Sequence, residues 1–318
     1  MNNVTVVSHF SLANWPIVNK LSAICKCLEV TMVHCSAIEK LRSVMKELPP
    51  GRRLFFTDEG LVSVVQEIET QSHGAVDVAM FINSPISKVA EKINTLRSVK
   101  YLIGGQNAES TGRDLSILIK KYTDGDILDL DKYLAFGCKI HTRVVNSAKA
   151  KRDAIDSVAK YISRLGDPGY RHPFDEYARR ISELTDELLL NAIFNANPRL
   201  RNADRGAQFH LQPEEEVRMS FGYDGDYFGV SVRDPFGQFN PDTIMSYLAT
   251  NRESGGIAKS KSAGLGLKFI FEKAHQIVAN VKEERATEVI ALVRFSSRLL
   301  EFEKQKKSFY FFDSRRRA

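Results

Sequence analysis

The first half of the chain alternates short apolar runs with amphipathic segments, and this alternation constrains the fold more than any other feature of the sequence. The apolar runs predict strands over Val4–Val7, Val30–Val33, Leu54–Thr57, Val76–Ile82 and Lys100–Ile103. In the segments between them, apolar side chains recur every three or four residues, as in helices that bury one face. Strand–helix units in succession predict a doubly wound parallel α/β sheet within residues 1–125.

A connector over residues 126–169 differs from this first domain in its pattern. Ala148, Ile155 and Ile162 lie seven residues apart, which predicts a single helix that begins at His141. Such a helix either pairs with its counterpart in a homodimer or lies on its own domain, and we expect the homodimer. The sequence Gly166-Asp167-Pro168-Gly169 ends it.

Composition and charge limit the class of protein. The 318 residues are 43% hydrophobic and 26% charged, as in ordinary globular proteins. No apolar run approaches the ~20 residues that a membrane span needs, and no secretory leader opens the sequence, so we expect a cytoplasmic protein. The net charge of +6 is spread along most of the chain, which argues against a nucleic-acid partner.

The C-terminal tail, residues 297–318, combines basic residues with the aromatic run Phe309–Phe312. A tail of this kind can contact nucleic acid or a membrane surface. It can also form a strand that docks on a partner or on the first domain. Because no motif that reads a nucleic-acid groove accompanies it, we expect docking.

A polar stripe along a predicted helix, Phe174–Asn197, is the first part of a candidate site. Glu183, Glu187, Asn191 and Asn195 recur every four residues and therefore share one face of the helix. Buried carboxylates and amides cost free energy unless partners satisfy them. Glu187 and Asn191 could together hold a hydrated Mg²⁺ ion, which prefers oxygen ligands and keeps several waters.

The other parts of the candidate site lie further along the chain. A predicted strand, Tyr227–Val232, runs into Asp234-Pro235-Phe236-Gly237, and a carboxylate at a strand end can accept a hydrogen bond from the amino group of adenine. Gly264-Leu265-Gly266-Leu267 precedes a predicted helix, Lys268–Val278. Glycines that open a helix let backbone N–H groups approach a phosphate. The polar segment Thr250–Ala263 has the composition of a mobile lid.

This order of helix, strand, Asp loop, lid and glycine-rich helix start resembles the GHKL ATPase superfamily, which includes gyrase, heat-shock chaperones, histidine kinases and MutL. Glu187–Ala192 is similar to the N box of the family, and Asp234–Gly237 and Gly264–Leu267 are similar to its two glycine boxes. The resemblance covers residues 170–296. It implies an α/β two-layer sandwich that the strand Thr287–Leu292 closes. The size of this region is that of a histidine-kinase catalytic domain or an anti-sigma-factor serine kinase.

The resemblance also implies ATP and Mg²⁺ as cofactors and a role for each matching residue. Glu187 would be the catalytic residue, which acts as general base or polarises the attacking group. Asn191 would be the Mg²⁺ ligand, and Asp234 would bind adenine. The other implied nucleotide-binding residues are Gly237, Gly264, Leu265, Gly266 and Leu267.

The sequence departs from the family pattern at two places. Phe236 and Gln238 replace glycines of the first glycine box, and Phe194 and Asn195 stand where basic residues often follow the N-box asparagine. Phosphate contacts would therefore be fewer than usual. The lid offers Arg252, Lys259 and Lys261 as substitutes.

The phosphoryl acceptor decides which kind of enzyme the resemblance implies. His141 lacks an acidic neighbour that would assist transfer, and His172 is predicted to lie in a loop, which disfavours self-phosphorylation on histidine. We therefore expect an ATP-dependent protein kinase of the histidine-kinase-like or anti-sigma class that acts on a partner signalling protein. The alternative is a catalytically inactive, ATP-dependent conformational switch or docking scaffold, which the incomplete first glycine box favours.

The first domain resembles the receiver domain of two-component response regulators in the number and size of its units. Asp58 stands at the place of the phosphorylatable aspartate of a receiver, and Ser84 stands at the place of its hydroxyl residue. Ser8-His9 replace the acidic pair that follows the first strand. The lysine expected after the fifth strand is missing, since Ile103 leads into Gly104. Because phosphoryl transfer depends on Mg²⁺, the resemblance implies a pseudo-receiver that senses or docks. The alternative is an unrelated flavodoxin-like module in which Asp58 is a loop residue or a helix cap.

Overall fold

The protein has a mixed α/β fold. The computed structural model describes residues 4–11, 14–48, 51–72, 76–105, 108–166, 171–239, 245, 249, 262–295 and 306–314. The strands are β1 (Val4–Ser8), β2 (Thr31–His34), β3 (Arg52–Asp58), β4 (Val76–Ile82), β5 (Val99–Gly104), β6 (His141–Val145), β7 (Val217–Tyr223), β8 (Tyr227–Asp234), β9 (Gln276–Lys282), β10 (Ala286–Arg294) and β11 (Ser308–Asp313). The α-helices are α1 (Trp15–Cys27), α2 (Ile38–Glu47), α3 (Val62–Ser72), α4 (Ile86–Ile93), α5 (Ala108–Asp124), α6 (Ala148–Ser163), α7 (Arg171–Leu190) and α8 (Ser262–Lys273).

The chain divides into two compact units. The first comprises the residues up to Ile127 together with Lys306–Tyr310, and the second begins at Leu128. In the first unit, β1 to β5 form a parallel sheet in the order β2-β1-β3-β4-β5, one of the two common orders of doubly wound sheets. The interior strand β4 is buried along its whole length, as in sheets covered by helices on both faces. The alternation in the sequence therefore predicted this parallel sheet correctly.

The aromatic part of the tail adds a strand to the sheet of the first unit. Phe309 and Tyr310 of β11 pair antiparallel with Leu102 and Tyr101 of β5. The neighbouring Gly104 N–H donates to Ser308 Oγ at 3.0 Å. The aromatic part of the tail therefore forms a strand that docks on the first domain, which is one of the alternatives that the sequence left open.

In the second unit, β6 to β10 form an antiparallel sheet in the order β9-β10-β8-β7-β6. Helix α7 packs against both α6 and α8 and contacts β8, while α6 contacts β6. The core between the helices and the sheet includes the fully buried rings of Tyr177, Phe194, Phe221 and Phe228. The predicted closing strand, Thr287–Leu292, lies within β10.

The segment before β6 also packs on this sheet. Asp129 N–H donates to Glu288 Oε2 at 2.9 Å, and Ser231 Oγ donates to Glu288 Oε1 at 2.7 Å. A Cβ on Gly229 would lie 2.7 Å from Leu130 Cδ1. The carboxylate of Glu288 is 1% exposed, so these donors replace the water that it loses on folding.

The prediction of a helix that begins at His141 is wrong. Residues His141–Val145 form β6, which pairs with β7, because β-branched residues fit a pleated surface better than a helix. The helix begins only after Ser147, whose Oγ accepts a hydrogen bond from Ala150 N–H at 3.2 Å. Its buried residues, Ala148, Ala154, Val158 and Ile162, pack within the second unit. The homodimer stays a prediction.

Two other predicted helices have different bounds in the structure. The helix predicted over Phe174–Asn197 is α7 as far as Leu190, and α7 includes His172, which was predicted to lie in a loop. The helix predicted over Lys268–Val278 is α8, which begins at Ser262 and ends at Lys273, and Gln276–Lys282 is the strand β9. A strand buried on both faces shows no alternation, so periodicity alone does not separate it from a helix.

Candidate functional site

The polar stripe of α7 continues into a π-helical turn. The turn spans Asn191–Asn195, and Ala196 N–H donates to the Asn191 carbonyl oxygen at 3.0 Å. Single π turns inside helices are rare and occur mostly at functional sites. The turn begins at Asn191, which the resemblance makes the expected Mg²⁺ ligand.

The first residue of the stripe, Glu183, has a structural role. Its carboxylate forms ion pairs with Lys273 Nζ of α8 at 2.5 Å and with Arg179 Nη1 at 2.6 Å. The hydrogen bond from Lys273 is the main cause that lowers the pKa of Glu183. Glu183 therefore ties α7 to α8 and does not point to a ligand.

The next two residues of the stripe have buried polar atoms without hydrogen-bond partners. Glu187 Oε1 and Asn191 Nδ2 are both buried, and neither has a hydrogen-bond partner among the described residues. Burial raises the pKa of Glu187, and the charge of Arg205, with Nη1 3.7 Å from Glu187 Oε1, opposes that rise. A buried polar atom left unpaired costs about 1–3 kcal/mol, so these two atoms make this part of the helix a candidate site for a polar ligand.

Arg205 also orients the amides of the π turn. Its Nη2 donates to Asn195 Oδ1 at 2.8 Å, and Asn195 Nδ2 donates to Asn191 Oδ1 at 2.5 Å. Sequence reasoning missed Arg205 because it lies in a loop ten residues after Asn195. No periodic pattern predicts a contact between a loop residue and a helix residue.

The glycine-rich start of α8 lies against Glu187. A Cβ on Gly266 would lie 1.8 Å from Glu187 Oε1, so only glycine lets α8 approach the carboxylate this closely. Gly264, Leu265, Gly266 and Leu267 lie in the first turns of α8, whereas the predicted helix begins directly after them, at Lys268. Glycine in a helix costs about 1 kcal/mol relative to alanine. The close contact with Glu187 explains why glycine nevertheless occurs at position 266.

Asp234 ends β8 with a buried carboxyl group. The residue is 5% exposed, and Phe236 N–H donates to its Oδ1 at 2.9 Å. Burial raises the pKa of Asp234 to about 7, although backbone hydrogen bonds from Phe236, Gly237 and Thr287 favour the charged form. A carboxyl group held in this way by its own loop presents a fixed acceptor.

The loop after Asp234 depends on Gly237. This residue has a φ of 65°, a conformation that only glycine adopts without strain. A Cβ here would lie 2.3 Å from the Lys282 carbonyl oxygen. Gly237 therefore seats the Asp234 loop against the turn between β9 and β10.

Two residues that sequence reasoning missed complete this end of the site. Thr287 lies opposite Asp234 in the pairing of β10 with β8, and its buried Oγ1 has no hydrogen-bond partner among the described residues. Arg201 joins the π turn to the Asp234 loop, since its Nε donates to the Asn195 carbonyl oxygen at 3.3 Å and its Nη2 to Gln238 Oε1 at 3.0 Å. A strand pattern marks Thr287 as a strand residue but does not show that it lies opposite Asp234.

The donor set at Glu187 and Asn191 fits Mg²⁺ shared with a phosphate ligand. Mg²⁺ is usually bound by one or two carboxylates together with substrate phosphates, and an amide oxygen that accepts one hydrogen bond keeps a second lone pair. Among the residues that the structure describes, no three His, Cys, Asp or Glu side chains form a metal-binding group. The lid residues Arg252, Lys259 and Lys261 lie outside the described residues.

The receiver-like positions of the first unit are occupied by local hydrogen bonds. Asp58 accepts from Ser11 N–H at 2.7 Å, from Ser11 Oγ at 2.8 Å and from Gly60 N–H at 2.9 Å, and it caps a short 3₁₀ turn. Ser84 Oγ donates to Glu59 instead, at 3.0 Å. Ser8 Oγ is 3.0 Å from His34 Nδ1. The helix-cap alternative for Asp58 agrees with this geometry.

Comparison of the chain with protein-family models and with curated proteins gives no match. None of the described helices combines the length and the apolar composition that crossing a membrane requires.

Proposed function

We propose that the second unit binds ATP with Mg²⁺ and is a protein kinase of the histidine-kinase-like or anti-sigma class that acts on a partner signalling protein. The observation that carries the proposal is the meeting of Glu187, Asn191 and Gly266 around buried polar atoms that lack partners. The resemblance to the GHKL superfamily supplies the chemistry that such a meeting would serve. The order of α7, β8 and α8 along the chain supports the proposal.

The adenine end of the proposed site is Asp234. Its fixed carboxyl oxygen would accept a hydrogen bond from the amino group of adenine. Thr287 Oγ1, which is buried without a hydrogen-bond partner among the described residues, is a second polar contact for the base. A hydrogen-bond acceptor in a buried site rejects bases that lack the matching donor.

The phosphate end is the first turn of α8. Unpaired N–H groups and the helix dipole favour an anion there. Mg²⁺ would be held by Asn191 and Glu187 and would supply charge neutralisation of the phosphates when bound. Glu187 would accept the proton of the attacking group, as a general base does.

The acceptor of the phosphoryl group is expected to lie on a partner. His141 lies in β6, where its ring stacks on Phe221 with centroids 5.3 Å apart. Burial lowers the pKa of His141. A histidine held in a sheet differs from an acceptor on a dimerisation helix, which agrees with transfer to a separate protein.

The test is isothermal titration of ATP and ADP, with and without Mg²⁺, into the wild-type chain and the Asp234→Asn variant. We expect binding by the wild type and at least about tenfold weaker binding by the variant, since a hydrogen bond to a charged group contributes about 1.5–3 kcal/mol. No binding by a folded wild type would contradict the proposal.

A second candidate function is an ATP-dependent switch without phosphoryl transfer. The first glycine box favours it, because Phe236 and Gln238 replace glycines and Gln238 is held by Arg201. A phosphotransfer assay of the wild-type chain separates the two functions. A kinase transfers the terminal phosphate of ATP to the partner, whereas a switch regulates the partner in the presence of ATP without phosphate transfer.

The proposed role of the first unit is that of a pseudo-receiver that regulates the second. Its strand order agrees with a receiver-like fold. The hydrogen bonds on Asp58 support regulation by docking or sensing rather than by phosphorylation.

A further inference from the structure

Arg205 contacts two members of the polar stripe at once. Its guanidinium donates to Asn195 Oδ1 at 2.8 Å and lies 3.7 Å from Glu187 Oε1. The side chain is 30% exposed, against 17% for Glu187. One cation therefore reaches the stripe while remaining accessible to a ligand from solvent.

The contact with Asn195 determines how the next amide is oriented. A guanidinium group only donates hydrogen bonds, so Asn195 presents its oxygen to Arg205 and its amino group to Asn191 Oδ1. Asn191 Nδ2 is consequently left buried without a hydrogen-bond partner among the described residues. Arg205 thus constrains the Glu187 carboxylate through its charge and the Asn191 oxygen through Asn195.

A bound anion would compete for the same guanidinium. Arginine pairs with phosphate through two parallel charge-assisted hydrogen bonds, whereas no hydrogen bond joins Arg205 to Glu187 at 3.7 Å. Gly266 places the first turns of α8 against the same Glu187 carboxylate. An anion at this turn is therefore a neighbour of the groups that Arg205 constrains.

We propose that Arg205 is a positioning residue that couples the terminal phosphate of a nucleoside triphosphate to the metal site. Without an anion, Arg205 constrains Glu187 and Asn191. When a triphosphate is bound, the guanidinium pairs with its terminal phosphate, and its charge no longer competes with Mg²⁺ for the Glu187 carboxylate. The inference rests on the proposed function and deepens it, because it makes Arg205 the residue that distinguishes ATP from ADP.

The test is calorimetric titration of the full chain with Mg²⁺ alone, with ATP and Mg²⁺, and with ADP and Mg²⁺. The variants are Arg205→Gln and Arg205→Lys, with Arg152→Gln, an exposed cation of α6, as the control. We expect Arg205→Gln to bind Mg²⁺ alone several-fold more tightly than the wild type, because a positive charge beside Glu187 is removed. The same variant should bind ATP at least about tenfold more weakly, with a smaller loss for ADP.

These effects have opposite signs, which a merely structural role for Arg205 would not produce. Equal loss of ATP and ADP affinity, or unchanged or weaker Mg²⁺ binding in Arg205→Gln, would overturn the inference. If that variant does not fold, Arg205→Lys carries the test, since it keeps the charge but loses the two-pronged contact. A reduced preference for ATP over ADP would support the coupling, and an unchanged preference would overturn it.

The failure of the proposed function can be told apart from the failure of this inference. A wild-type chain that binds neither nucleotide contradicts the proposed function. If the wild-type chain binds both nucleotides and its preference for ATP over ADP equals that of Arg205→Gln, only the role of Arg205 is contradicted.

Discussion

Burial raises the pKa of both Asp234 and Glu187. The two carboxyl groups nevertheless have different partners. Backbone N–H groups hold Asp234, while Glu187 faces the side chain of Arg205 and the backbone of α8 at Gly266. A carboxyl group fixed by backbone donors suits recognition of a ligand. A carboxyl group with one unpaired oxygen suits metal binding or proton transfer.

The raised pKa of Asp234 predicts a pH-dependent stability. The folded-state value of about 7 lies above the ~3.9 of an unfolded aspartate, so folding favours the protonated form. The stabilisation from this proton is complete below about pH 4 and is lost as the pH rises through about 7, with an upper limit of ~4 kcal/mol at ~1.4 kcal/mol per pKa unit.

Denaturant unfolding of the wild type and of Asp234→Asn, at about pH 5 and pH 8, measures this effect. We expect the wild type to lose more stability than the variant between the two pH values, because asparagine cannot ionise. Equal losses in the two proteins would show that the Asp234 carboxyl group is not desolvated.

Gly266→Ala is expected to displace the Glu187 carboxylate and to weaken ATP binding. Alanine normally stabilises a helix relative to glycine by up to about 1 kcal/mol, so any loss must come from the clash with Glu187. Gly112→Ala in α5 is the matched control, because a Cβ there meets nothing within 4 Å. Unfolding and nucleotide titration of both variants check the prediction, which a Gly266→Ala protein with normal affinity would contradict.

At the scale of elements, sequence reasoning predicted the parallel sheet of the first unit but not the local irregularities of the second. Five apolar runs separated by amphipathic segments leave few arrangements other than a doubly wound sheet. The π turn at Asn191–Asn195 was not predictable, because it shifts the hydrogen-bond pattern without interrupting the apolar periodicity. The strand β6 was mistaken for a helix because its few residues adjoin a real helix.

The sequence predicted the parts of the candidate site whose residues are close in sequence. It did not predict the contacts between residues that are distant in sequence. Glu187 and Asn191 share a helix face, so their proximity follows from a four-residue spacing. The contacts of Arg205 with Glu187, and of Gly237 with Lys282, join segments that no periodic pattern relates. Thr287 opposite Asp234 follows only from the register of β10 with β8.

Gly104 is expected to control whether β11 stays on the first sheet. A Cβ at this position would lie 2.1 Å from the Lys307 carbonyl oxygen, so Gly104→Ala should release the strand. Hydrogen exchange of Phe309 and Tyr310 measures the release as lost protection. Unchanged protection in Gly104→Ala, with Gly112→Ala as the control, would show that β11 tolerates a side chain there.

At the scale of the whole molecule, the two units present different kinds of polar site. In the first unit, Asp58 and Ser84 are paired with neighbouring groups, although Thr57 Oγ1 is buried without a hydrogen-bond partner among the described residues. In the second unit, Glu187, Asn191 and Thr287 each have such an unpaired buried polar atom. The proposed division into a regulatory unit and a nucleotide-binding unit rests on the pairing of Asp58 and on the unpaired atoms of Glu187 and Asn191, which lie four residues apart on one helix face.

The central claim is that one nucleotide lies between Asp234 and the Glu187–Asn191 pair. Hydrogen exchange of the full chain, with and without ATP and Mg²⁺, tests it most directly, since a bound ligand slows the opening of the backbone that it contacts. We expect added protection at the π turn Asn191–Asn195, at Phe236 and Gly237, and in the first turns of α8. Protection confined to the first unit, or no change at these three places, would contradict the account.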